Sequence, residues 1–160
     1  MNIFKFAMEK EKYSEDYYRR LAGKSSNKGL GTVFNMLADE EAKHYKIVSD
    51  MKEDIATDLA ETTILSDAKD VFAKMRESAL SFNFDVTQTA LYRKALNIEK
   101  QSRDFYLEKA DEVTDAHKEI FLKLADEEKK HFFLLENIID FVSRPKTWLE
   151  NAEFYHLDEY

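Results

Sequence analysis

The chain of 160 residues has no cysteine, one proline and three glycines. Without cysteine there is no disulfide framework, thiolate zinc site, iron–sulfur cluster, C-x-x-C-H haem attachment or cysteine nucleophile. So few glycines and prolines argue against a turn-rich all-β fold. No apolar run reaches the length of a membrane span, and residues 1–18 carry acidic and basic groups on every turn where a signal peptide needs an apolar stretch. Basic character is also scarce. Twenty-four Lys and Arg against 32 Asp and Glu leave a formal charge of −8, which disfavours nucleic acid and anionic membranes, since both demand a basic surface. Cations are not disfavoured. The expectation is a cytoplasmic protein without nucleic-acid or membrane partners.

What is present is 44% hydrophobic and 35% charged, rich in Ala, Leu, Glu and Lys, a composition that can bury a core and points to helices. The chain also repeats itself. Ala7-x-x-x-Glu11-Lys12-x-Ser14-x-Asp16-Tyr17-Tyr18 aligns with Ala95-x-x-x-Glu99-Lys100-x-Ser102-x-Asp104-Phe105-Tyr106 at an offset of 88. Phe34-x-x-Leu37-Ala38-Asp39-Glu40-Glu41-x-Lys43-His44 aligns with Phe121-x-x-Leu124-Ala125-Asp126-Glu127-Glu128-x-Lys130-His131 at an offset of 87. Apolar residues recur three and four apart within these blocks, the stripe of an amphipathic helix.

The spacing predicts helices over about 2–24, 30–56, 87–112 and 115–143, with a break in the Gly23 to Gly31 region, Thr114 or Asp115 as the last N-cap and Pro145 as the stop. At 1.5 Å per residue each is roughly 35–40 Å long, so short loops fold them into two antiparallel hairpins and hence an all-α four-helix bundle. Residues 57–86 form a long crossover between the hairpins; Ser66-Asp67 followed by Val71, Phe72, Met75 and Ala79 predicts a short helix capped by Ser66. The bundle domain is expected over 1–145. The tail over 146–160 carries Trp148, Leu149, Phe154, Tyr155 and Leu157 and is expected to dock on the bundle or on a partner.

Ionisable residues interrupt the seams. Stepping three and four along the second helix gives Phe34, Leu37, Glu41, His44, Val48, Met51 and Ile55; the fourth gives Phe121, Leu124, Glu128, His131, Leu135, Ile138 and Val142. The first runs Phe4, Ala7, Glu11, Ser14, Tyr18, Leu21 and the third Tyr92, Ala95, Glu99, Ser102, Tyr106. Four carboxylates and two imidazoles thus meet in one interior layer with no basic seam residue to pair them, and unpaired buried charge is costly. Two divalent cations would neutralise four Glu with neutral His, taking the formal charge from −8 to −4. Residues i and i+3 share a face, so Glu41 with His44, and Glu128 with His131, can each ligate one metal while a second carboxylate oxygen bridges to the other. Oxygen-rich ligation with one imidazole per metal favours iron or manganese over zinc, calcium or magnesium.

A lone E-x-x-H is weak in a chain with 18 Glu. Glu153-x-x-His156 fits the pattern without a repeat partner and is set aside, and His117 reads as a solvated residue near a helix start. Glu11 alone would read as a solvated helix face. The duplicated constellation is the stronger signal. Tyr18 and Tyr106, seven residues after Glu11 and Glu99, either hydrogen-bond a ligand carboxylate or simply pack in the seam. Asp39 or Glu40, and Asp126 or Glu127, could orient a His through its other ring nitrogen, with a solvated role for at least one of each pair.

The duplicated Leu-Ala-Asp-Glu-Glu-x-x-His and the duplicated Glu with Tyr seven residues on resemble the rubrerythrin-like branch of the ferritin-like superfamily, over about residues 3–56 and 88–143. The resemblance implies that Glu11, Glu41, His44, Glu99, Glu128 and His131 ligate two iron ions, with Glu41 and Glu128 bridging, that react with peroxide or dioxygen. Manganese or a mixed pair is the alternative. Glu11 and Glu99 are the residues expected to shift coordination or accept a proton. Full rubrerythrins carry a further Glu three residues after the third-helix ligand, where this chain has Ser102, so its site reads as a more symmetric four-Glu, two-His centre. Lack of cysteine also means no rubredoxin-type iron, so electrons would come from a separate donor protein such as a rubredoxin. The implied function is a non-haem di-iron oxidoreductase reducing peroxide or dioxygen, and the expected assembly is a homodimer. The alternatives are a ferroxidase or iron-storage protein of the ferritin type, and a bundle with a structural or sensory metal site.

Overall fold

The computed structural model describes residues 2–77 and 85–143. Five α-helices follow in order: α1 (Ile3–Lys24), α2 (Lys28–Lys52), α3 (Ile64–Arg76), α4 (Thr89–Lys109) and α5 (Asp115–Ser143). Short 3-10 turns, Val86–Gln88 and Ala110–Glu112, bracket α4, and no strand is present among the described residues. α1 packs mainly on α2 and α4 mainly on α5, giving the two expected hairpins. The expectations for Ala79, Pro145, the tail aromatics and Glu153 with His156 fall outside the described residues.

Local chemistry explains the ends of the elements. The Asn2 side chain accepts hydrogen bonds from the backbone N–H groups of Phe4 and Lys5 at 2.8 and 3.1 Å, and Asn27 accepts from Leu30 at 2.9 Å, each offsetting orphan donors of a first turn. Thr114 caps α5, its hydroxyl accepting from the His117 N–H at 3.3 Å. Three residues suffice to separate α1 from α2, so Gly29 and Gly31 lie inside α2 rather than in a break. Gly29 faces the Met75 thioether of α3, where a Cβ would collide with it.

Two expected boundaries need correction. α2 stops at Lys52, because Asp54 adopts a left-handed φ of 56° and the Ile55 N–H turns back to the Asp50 carbonyl at 2.8 Å. Ile55, placed on the seam by its spacing, is exposed. α3 begins at Ile64, so Ser66 lies in its first turn and is not the cap. Thr63 occupies that position, with its hydroxyl on Asp67 at 2.8 Å, while the Thr62 hydroxyl accepts from the Ile64 N–H at 3.1 Å.

The apolar core is in two parts. One gathers Tyr18, Leu21, Leu30, Phe34, Leu37, Tyr92, Leu135, Ile138 and Val142 with the inner face of α3, where Phe72 meets Phe141 at 5.4 Å. The other gathers Ala7, Val48, Met51, Tyr106, Phe121 and Leu124. Glu11, Glu41, His44, Glu99, Glu128 and His131, all buried, belong to neither and lie along the helices between them. No helix among the described residues is long and apolar enough to cross a membrane.

Candidate metal centre

All six sequence-predicted residues come together. Ligand atoms of Glu11, Glu41, His44 and Glu128 lie within 4.8 Å of one another, and so do those of Glu41, Glu99, Glu128 and His131. The two sets share Glu41 and Glu128. The rings of His44 and His131 lie nearly parallel, 10° apart in plane with centroids at 5.7 Å. Both present Nδ1 inward: His44 Nδ1 is 2.8 Å from Glu128 Oε1 and 3.6 Å from Glu11 Oε2, and His131 Nδ1 is 2.9 Å from Glu41 Oε1 and 3.5 Å from Glu99 Oε1.

The layer has more acceptors than donors. Buried atoms with no hydrogen-bond partner are Glu11 Oε2, Glu41 Oε2, Glu99 Oε2, both oxygens of Glu128, His44 Nδ1 and His131 Nε2. Such a concentration of unsatisfied groups is exceptional in a native interior. Divalent cations would supply the missing partners, and the donor set, three carboxylates and one imidazole in each group with two of the carboxylates shared, suits iron or manganese. The six residues therefore fit bound metal.

The family model described as Rubrerythrin matches residues 2–139. The chain belongs to the rubrerythrin family. No curated protein and no solved structure matches it in the corresponding searches. The buried carboxylate and histidine cluster of this rubrerythrin-family chain is compatible with a metal site.

Electrostatics in this rubrerythrin-family layer divide the carboxyls. Burial, then the neighbouring charges of Glu11, Glu128 and Glu99, pushes Glu41 well above the usual carboxyl range; burial with Glu99 and Glu11 does the same to Glu128. Burial also raises Glu11, but the His44 charge, the nearby Glu41 and the hydrogen bond from Tyr106 outweigh it and hold this carboxyl below its ordinary value. For the imidazoles burial favours the neutral form, yet Glu11 beside His44, and Glu99 beside His131, hold both well above the usual histidine value.

The tyrosines act across the bundle. Tyr106 donates to Glu11 Oε1 at 2.6 Å and Tyr18 donates to Glu99 Oε1, so each hydroxyl serves the carboxylate of the other hairpin. These crossed pairs set α1 and α4 antiparallel. They leave the Oε2 of each Glu free to face a metal. Burial, with the Glu99 charge at Tyr18 and the Glu11 charge at Tyr106, raises both phenols well above their ordinary value, so they remain donors.

The adjacent acids, undecided from spacing, separate cleanly. Glu127 accepts from His44 Nε2 at 2.8 Å, and Glu40 lies 3.5 Å from His131 Nε2. Asp39 instead pairs with Arg19 at 2.5 Å, and Asp126 with Lys130 at 3.3 Å, both on the outside. Sequence reasoning missed Thr62, whose hydroxyl donates to Glu40 Oε1 from the crossover. His117, read as solvated, is half-buried and edge-on to Phe4 at 5.3 Å, away from the cluster. Ser14 and Ser102, both buried, line a cleft of about 290 Å³ between α1 and α4.

Proposed function

We propose that this rubrerythrin-family chain is a di-iron oxidoreductase that reduces hydrogen peroxide or dioxygen to water with electrons from a separate donor protein. The observation that carries the reading is the sharing of Glu41 and Glu128 between two four-residue ligand sets, which suits two adjacent ions rather than one. Glu11 and His44 would complete one position, Glu99 and His131 the other. When bound, the iron pair would supply electrons and Lewis acidity toward a peroxide or dioxygen oxygen.

The chain's own residues set the conditions for that chemistry. Apolar clusters on both sides exclude bulk water from the layer. Tyr18 and Tyr106 hold Glu99 and Glu11 by one oxygen, so the second can swing toward a metal or accept a proton without the carboxylate leaving its place. Reduction of one peroxide consumes two protons and two electrons and yields two waters. Ser14 and Ser102, one turn beyond Glu11 and Glu99, line the α1–α4 cleft, the side from which a small oxidant would approach.

The test is stopped-flow re-oxidation of the anaerobically reduced, iron-loaded protein by peroxide and, separately, by dioxygen. Fast re-oxidation that Glu128→Ala loses is the expected result; re-oxidation no faster than in Glu128→Ala refutes the reading. A particle mass far above that of a dimer, together with a mineral core after ferrous iron and dioxygen, would replace it with iron storage.

A further inference from the structure

The inner layer is symmetric because the sequence is duplicated, but the residues behind it are not. His44 Nε2 donates to Glu127 at 2.8 Å, and Glu127 has no hydroxyl or ammonium partner among the described residues. Its repeat counterpart Glu40 is drawn elsewhere. Oε1 of Glu40 takes the Thr62 hydroxyl, Oε2 lies 3.5 Å from Lys43 Nζ, and His131 Nε2, 3.5 Å from Oε1, has no hydrogen bond.

The crossover causes the difference on both sides. Thr62 engages Glu40, and its neighbour Glu61 reaches Lys130, the repeat counterpart of Lys43, at 3.4 Å, while Asp126 also holds that ammonium at 3.3 Å. Lys43 therefore leans on its outer-layer carboxylate, whereas Lys130 leans away from Glu127. A single connection can pass over the α2–α5 face only once, so it cannot treat the two repeats alike.

A metal-bound imidazole that donates its other N–H to a carboxylate is a more basic and better-oriented ligand, and loss of such a partner lowers metal affinity by roughly 10–100-fold. Resting on the di-metal reading above, we infer that the two metal positions are inequivalent: the His44 position fills first and tightly, the His131 position second and more weakly, and Thr62 is the positioning residue that sets the gap. The chain then has a stable state holding one ion, in which the second position can accept a different divalent metal.

Cobalt(II) titration of the metal-free full chain, followed by visible absorption and calorimetry, tests this. The wild-type chain is expected to bind two ions in steps at least about tenfold apart. His131→Ala should keep the tighter step and His44→Ala the weaker. Thr62→Val, which frees Glu40 Oε1 for His131, should bring the second step several-fold closer to the first without changing the total of two ions. Generic repulsion between two cations would leave the gap unchanged in Thr62→Val, and that result overturns the inference, as would equal steps in the wild type or a tight step surviving in His44→Ala. Should a ligand variant fail to fold, the Thr62→Val comparison decides alone. A chain that takes up no cobalt at all removes the metal-centre reading itself, and this inference with it.

Discussion

Metal uptake by this layer should displace protons, and the structure names the groups that would give them up. Burial and neighbouring charge raise Glu41 and Glu128, and the facing carboxylates raise His44 and His131, so the metal-free centre favours the protonated form of these groups. Metal ligation requires each of them deprotonated. Each proton displaced below its pKa costs about 1.4 kcal/mol per pH unit. Affinity should therefore rise with pH by up to about tenfold per unit for each proton displaced, levelling off as pH passes the raised values. Calorimetry with manganese(II) near pH 7, in two buffers of different ionisation enthalpy, counts the protons directly. Release of about two to four protons per pair of ions is expected. Release of less than one, or an affinity that stays flat between about pH 6 and 8, would show that the six residues do not share their protons as the geometry implies.

Replacing Tyr106 by Phe removes the hydroxyl from Glu11 Oε1 and leaves a buried carboxylate oxygen without its donor. Chemical denaturation of the metal-free variant should show a loss of about 1.5–3 kcal/mol, and a change below about 0.5 kcal/mol would mean the contact contributes nothing. The two glycines on either side of the α1–α2 connection give opposite signs. Gly23→Ala, with nothing within 4 Å of the new Cβ, should stabilise α1 by up to about 1 kcal/mol, because alanine restricts the unfolded chain and favours helix. Gly29→Ala drives the Cβ into Met75 and should cost about 1–3 kcal/mol, read as a fall in thermal midpoint; equal shifts in both variants would contradict the packing of α3 on α2.

The bundle and its six inner residues are legible from sequence because they are written twice. Duplication converts a weak pattern, Glu three residues before His, into a register shared by four helices, and the same register brings the tyrosines to the carboxylates. What spacing cannot resolve is a rotation of about 100°, the angle between neighbouring residues on a helix. That is why Asp39 and Glu40, or Asp126 and Glu127, could not be told apart until the helices were packed. Only Glu40 and Glu127 turn toward the histidines, and their neighbours meet Arg19 and Lys130 outside. Ile55 continues the three-four stepping, so nothing in the pattern announces the end of α2. The end comes from the left-handed Asp54, a conformation usually left to glycine. Thr62 was invisible for a different reason. It belongs to the segment that has no repeat, and its role exists only where the crossover lies against α2.

Each hairpin carries one lone Glu and one E-x-x-H, half of the six residues, and neither half can enclose a pair of ions by itself. A connection of some thirty residues joins the halves. In the terms of tethered ligands, it replaces a meeting of two molecules by closure of one chain, at an effective concentration on the order of millimolar for flexible linkers. With metal bound, formation of the centre would not depend on dilution, because a single copy carries both halves, and supply of the metal would set how many centres are complete.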